Sequence, residues 1–196
     1  MSKLIFILKI MITLFIALIL AACASKPEQT LDKQIQPFAY NDLNKATYGL
    51  EQLKGNVWIA DFIFTECETL CPMQTENMRM LQTYLKERNI PVQFVSFSVD
   101  PEHDTTEELN KFVKKHRADT SNWHFLNGYS FESIQKFAKD SFLTTVDKPV
   151  VNDVMHSTSF FLVNKQGFLT QKFSGTSTMP LNDIADAVKA WNEVNE

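Results

Sequence analysis

Cysteine is scarce in this chain: 196 residues hold three. That number excludes a four-thiolate metal site and a network of structural disulfides. Positive charge is also short. There are 19 Lys and Arg against 23 Asp and Glu, and two of the cations, Lys3 and Lys9, precede Cys23. From Cys23 onward, 17 basic residues face 23 acidic ones, a net charge of −6. Phosphate backbones require basic patches, so no nucleic-acid partner is expected. The same deficit argues against electrostatic docking on anionic lipid. No apolar run reaches the roughly 20 residues of a comfortable membrane span. Internal repeats and low-complexity tracts are absent.

The longest apolar run, Ile10–Ala21, follows a short basic region and ends in Leu20-Ala21-Ala22-Cys23. Basic, apolar and then small residues describe a secretory signal. The end of the run resembles a bacterial lipobox, in which Cys23 becomes the first mature residue and carries lipid. Residues 1–22 are therefore expected to be a lipoprotein signal peptide and 23–36 a polar, lipidated linker. Residues 37–196 form one domain, large enough for a single core, to which 16 phenylalanines contribute. The expected location is the extracytoplasmic face of the cell membrane, held there by lipid on Cys23. In an oxidising compartment the two remaining cysteines, Cys67 and Cys71, could pair with each other.

Strand and helix patterns alternate along the domain. Val57–Phe64 reads as a buried strand, and Pro72 suits the first turn of a helix reaching about Arg88. Met73, Met78, Leu81 and Leu85 are expected on its inner face. Val92–Val99 reads as a second strand, and Asp104-Thr105-Thr106 starts a helix with Leu109, Phe112 and Val113 inside. Trp123–Leu126 is a short strand. Ser130 caps a helix through Ala138. Thr158–Val163 and Phe168–Phe173 make a hairpin, and Pro180 opens a last helix carrying Ile184, Ala187, Val188 and Trp191. This order predicts an α/β fold, a mixed central sheet with helices on both faces. Sites in such sheets gather at the carboxyl ends of strands. Cys67, Cys71 and Asp100 all follow strands, and so share one rim.

Cys67 and Cys71 flank Glu68-Thr69-Leu70 at a strand-to-helix turn. On a regular helix their Cα atoms would stand roughly 6.2 Å apart, within disulfide range. A helix N-terminus favours thiolate, the reactive and metal-binding form, while Glu66 and Glu68 oppose it. An inert staple is the weaker reading, because so small a loop gains least from cross-linking. His156 precedes the late hairpin, and a thioredoxin-like topology would bring it near the cysteine turn. The other histidines, His103, His116 and His124, read as structural. Two thiolates and an imidazole form a soft set that suits copper, with zinc the competitor. Structural zinc takes four protein ligands, and three are present. Met155 is expected to point into the protein, away from His156. Lys148–Asp153 reads as a loop able to close over a metal.

Three separated motifs then agree. Phe64–Pro72, Ser96–Asp104, and His156 ahead of Ser159–Val163 resemble the Sco/SenC family in order and spacing. The resemblance covers nearly all of the mature domain. It implies a membrane-tethered, thioredoxin-like metallochaperone. Such a protein holds Cu(I) or Cu(II) through Cys67, Cys71 and His156 and helps assemble the CuA centre of cytochrome c oxidase subunit II. It further implies that Asp100 supports the site or docks the partner. The alternative is enzyme-like: Cys67 and Cys71 act as a thiol–disulfide reductase that keeps the acceptor's cysteines reduced, reset by a thiol reductant. A general disulfide oxidoreductase fits poorly, since the cysteines carry one residue too many between them and no proline neighbours His156.

Overall fold

A computed structural model describes residues 31–67, 70–147, 155–176 and 179–194. The expected signal peptide, Cys23, most of the linker, Glu68 and the 148–153 loop lie outside the described residues.

The strands are β1 (Lys33–Gln34), β2 (Ala39–Asn41), β3 (Thr47–Gly49), β4 (Trp58–Ile63), β5 (Gln93–Ser98), β6 (Trp123–Leu126), β7 (Ser159–Val163) and β8 (Phe168–Ser174). The helices are α1 (Leu50–Leu53), α2 (Cys71–Glu87), α3 (Thr106–His116), α4 (Phe131–Phe142) and α5 (Leu181–Glu193). Six strands form one sheet in the order β1-β8-β7-β4-β5-β6, and β2 and β3 pair as a separate hairpin. β4, β5 and β6 run parallel, while β7 is antiparallel to both β4 and β8. This is the expected mixed sheet.

β4 lies inside the sheet and all six of its residues are buried, which is why its sequence is apolar on both faces rather than alternating, with Asp61 the one exception. Trp58, Ala60 and Phe62 face a core completed by Ile134, Phe137 and Phe142 of α4. The Phe62 and Phe142 rings meet edge-on at 5.4 Å. Ile59 and Ile63 face the opposite core, closed by Met78, Leu81 and Leu85 of α2, by α3 and by α5. Each large side chain so buried contributes on the order of 2 kcal/mol.

Some expectations shift. Met73 is 42% exposed rather than inside. Five residues separate it from Met78, roughly 140° around the helix, so both cannot face the core. α3 is capped by Thr105, whose hydroxyl accepts from the Glu108 amide at 3.3 Å, which leaves Asp104 for another task. α4 runs past Ala138 to Phe142 and ends at Leu143 in the left-handed region, φ 53°. Residues at the expected linker boundary are packed: Ile35 is buried, and the Leu31 amide donates to the Thr170 carbonyl at 2.9 Å. Among the described residues no helix is long and apolar enough to cross a membrane.

Candidate metal centre

The parallel strands β4 and β5 end side by side, which sets the cysteine turn against the 100–104 loop. Asp104 joins them. Its buried carboxylate accepts the Thr65 amide at 3.0 Å and the Thr65 hydroxyl at 2.6 Å on Oδ1, and the Ser98 hydroxyl at 2.6 Å on Oδ2. Burial raises the Asp104 pKa, and these donors oppose the rise. The Asn127 side-chain amide adds a bond to the Asp104 carbonyl at 2.9 Å. The turn continues with the Cys67 amide donating to the Phe64 carbonyl at 3.4 Å.

Cys71 opens α2, and Cys67 lies in the turn before it. The pair therefore straddles the helix start instead of sharing the helix. The Cys71 amide donates to Cys67 Sγ at 3.3 Å, so an otherwise unpaired first-turn N–H supports negative charge on that sulfur. No disulfide joins Cys67 and Cys71; Cys67 is half-buried and Cys71 is 1% exposed. Burial is the main cause that pushes the Cys71 thiol well above its ordinary value, reinforced by its hydrogen bond with Cys67, the Cys67 charge and the Asp61 charge. For Cys71, burial outweighs the helix N-terminus.

His156 arrives from 85 residues away. Its Nε2 lies 3.2 Å from Cys71 Sγ. Its Nδ1 lies 3.0 Å from the Ser157 carbonyl, which can only accept, so the proton of the neutral ring sits on Nδ1. The Nε2 lone pair then points at the thiol, as a metal ligand or a proton acceptor would. The Phe64 ring packs edge-on against the imidazole at 5.6 Å. Two backbone hydrogen bonds between Asp147 and Met155, 2.9 and 2.8 Å, fix the approach. Consecutive side chains of such an extended segment alternate faces. His156 turns inward, and Met155, expected inside, is 64% exposed.

Two ligands of one ion, each bonded at about 2.0–2.3 Å, stand roughly 3.3–3.7 Å apart at open angles. The sulfur–imidazole gap is close to that. Among the described residues no group of three His, Cys, Asp or Glu already encloses a metal ion. Closing on one requires the Cys67 sulfur to turn from the Cys71 amide, a side-chain rotation. The soft donor set and the near-ligand spacing fit copper.

Asp100 sits at the expected rim. Its amide donates to the Ser98 hydroxyl at 3.2 Å and its Oδ2 meets His103 Nδ1 at 2.8 Å, interactions that shape the loop leading to Asp104. His116 packs on the Phe112 ring at 4.4 Å, and His124 stacks on Tyr48 and bonds Asp42 at 2.7 Å. Sequence reasoning missed Asp104, Thr65 and Asp61. The one available signal was Asp61, an acid within a strand otherwise made of apolar residues.

Known proteins share this fold. The SCO1/SenC family model matches residues 26–193. A SCO1 protein homolog of Bacillus subtilis is 42% identical over 177 residues, spanning 89% of this chain and 92% of its own length. A SCO1/SenC family lipoprotein from Bacillus anthracis superposes with a TM-score of 0.83 at 44% identity, covering 86% of this chain and all of that one. BsSco, a member of the Sco family of cytochrome c oxidase assembly proteins in which a disulfide switch was identified, gives 0.81 at 40%, covering 87% and 100%. A copper-bound ScoI of Arabidopsis thaliana shares the fold at 24% identity, with a TM-score of 0.68 over 81% of this chain and 98% of that one. The sheet order and its helices are thus the thioredoxin-like fold that the sequence predicts. With a family match over almost the whole described body, and close relatives covered nearly end to end, the chain belongs to the SCO1/SenC family.

Proposed function

We propose that this protein carries copper to the CuA centre of cytochrome c oxidase subunit II, holding it through Cys67, Cys71 and His156. The observation that carries the reading is the 3.2 Å approach of His156 Nε2 to Cys71 Sγ across 85 residues of chain. The two thiols release their protons as they bind the ion, and the proton-free Nε2 supplies the third donor. A soft cation displaces the proton from Cys71 even though burial keeps that thiol protonated at neutral pH. Lipid on Cys23 holds the domain at the extracytoplasmic membrane face, and Asp100 with His103 shapes the rim beside the copper. Copper-bound and oxidase-assembly relatives support the copper reading. The test is titration with Cu(II), followed by the thiolate-to-copper charge-transfer band. His156→Ala should bind at least tenfold more weakly; affinity equal to wild type would defeat the site.

A second reading rests on the two neighbouring thiols, which no disulfide joins. Half-buried Cys67 attacks an acceptor disulfide, releasing one acceptor thiol. Cys71 then attacks the mixed disulfide, closes Cys67–Cys71 and releases the second, so two electrons pass to the acceptor. An external thiol reductant resets the pair. The disulfide switch of BsSco supports this chemistry here. Full-rate reduction of an oxidised CuA-site peptide by His156→Ala, alongside weak copper binding by wild type, would favour the reductase.

A further inference from the structure

The segment that carries His156 is held on both sides of the histidine. Before it, Met155 pairs with Asp147 through two backbone hydrogen bonds. After it, the Gly175 amide donates to the Thr158 carbonyl at 2.9 Å. That bond adds a rung beyond the last β7–β8 pair, Ser159 with Ser174. The rung is tightly packed. A Cβ on Gly175 would stand 2.5 Å from the Thr158 oxygen and 3.0 Å from the Phe160 ring, so only glycine lets the two chains approach this far.

α2 holds the same rung from the other side. An asparagine amide nitrogen carries two N–H donors. At Asn77 one goes to the Gly175 carbonyl at 2.9 Å and the other to the Thr176 carbonyl at 3.0 Å. Asn77 is half-buried and Gly175 is buried. Asn77 follows Cys71 by six residues, about 9 Å along the axis of one helix. Thr158 follows His156 by two residues, which reach at most about 7 Å. One helix therefore carries Cys71 at its start and, through Asn77, Gly175 and Thr158, fixes the chain beside His156. Every link in this path is an amide donating to a carbonyl, so its strength does not depend on an ionisable group.

We infer that Asn77 is a positioning residue for the copper site, whose two hydrogen bonds set where the His156 imidazole stands over Cys71. The inference rests on the reading that His156 is a copper ligand. The gap between Nε2 and Cys71 Sγ, 3.2 Å, is already close to that of two ligands sharing one ion. A segment released from α2 would have to be ordered again when copper binds, and that cost lowers affinity. Loss of a group that orients a metal ligand weakens binding by roughly 10- to 100-fold. Asn77 acts through two further links, which places it at the lower end.

The test uses the full chain, reduced, in neutral detergent. Asn77→Asp keeps the size of the side chain and removes both donors. Asn77→Ala is the second variant, should the new charge prevent folding, and urea unfolding checks both. Copper affinity is measured by chelator competition, with His156 present and in the His156→Ala background. With His156 present, each variant should bind copper about tenfold more weakly than wild type. With His156 already alanine, the same substitution should change affinity by less than about twofold. An equal loss in both backgrounds would mark general destabilisation and overturn the inference, as would wild-type affinity in both variants. A second readout needs no metal. Imidazole nitrogen NMR of the metal-free wild type should show the His156 proton on Nδ1, facing the Ser157 carbonyl. In the Asn77 variants that tautomer should lose population to the Nε2–H form. Ring resonances unchanged from wild type would also overturn the role of Asn77. If the ring responds but His156→Ala binds copper as tightly as wild type, the copper site is wrong and the positioning of His156 by Asn77 stands.

Discussion

Asp61→Asn should make the protein's stability less sensitive to rising pH between about 4 and 7. Asp61 lies in β4, fully buried between the sheet and α2. Its Oδ1 accepts the Ser96 hydroxyl at 2.6 Å, its Oδ2 accepts the Gln74 amide at 3.1 Å, and Ser96 Oγ takes the Trp123 indole N–H at 2.9 Å. None of these partners is a cation. Burial therefore dominates, and the carboxyl is pushed up to about 7 against the two bonds that lower it. In the unfolded chain an Asp titrates near 3.9. Between roughly pH 4 and 7 the native state holds a proton that the unfolded state has released, so unfolding gives up a proton. Stability from this source is complete below pH 4 and is lost as pH rises through 7. At roughly 1.4 kcal/mol per pH unit the loss is about 4 kcal/mol. Asparagine keeps the shape and does not ionise. Its new N–H₂ faces Gln74, whose buried Oε1 has no hydrogen-bond partner among the described residues and can accept once the amide rotates. Urea unfolding of both proteins from pH 4 to 8, under reductant and chelator, measures the effect. Asp104 is raised in the same direction, so the wild-type slope alone decides nothing. The difference between the proteins isolates Asp61, and it should move toward the variant by about 4 kcal/mol across the window. A difference that is flat with pH would refute the reasoning.

Three further outcomes are expected. Asp104→Ala leaves the Thr65 amide, the Thr65 hydroxyl and the Ser98 hydroxyl without their acceptor. It should cost about 3 kcal/mol in urea unfolding and weaken copper binding in chelator competition, because the cysteine turn loses its tie to β5. Phe62→Ala opens a cavity among Phe97, Phe142 and Phe161 and should cost about 4 kcal/mol by the same unfolding assay. Gly49→Ala would set a Cβ 2.1 Å from the Phe38 carbonyl oxygen, a backbone atom that cannot swing away. It should lower the thermal midpoint by a destabilisation of about 2 kcal/mol.

How much was legible in the sequence follows from how far apart the cooperating residues lie. β4 and β5 announced themselves because inner strands need apolar residues on both faces, and α2 because Pro72 and the Met78, Leu81, Leu85 spacing mark one stripe. β1, β2 and β3, two or three residues each, are too short for any period to show. Cys67 and Cys71 were visible by spacing, and His156 by its place before a core strand. Their supports were not. Asp104 looks like a helix start in sequence, and only the neighbouring ends of two parallel strands hand it to Thr65, 39 residues back. Met73 and Met155 were assigned to the interior because they are apolar, yet burial is a one-way rule. Both stand outside, beside the buried thiol. Carboxylates inside the protein and thioethers outside it break the binary pattern in opposite senses. Asp104 on the inside, with Met73 and Met155 on the outside, lies within or beside the segments that hold Cys67, Cys71 and His156. Exceptions of this kind beside Cys67, Cys71 and His156 are what a site that trades packing for chemistry would show.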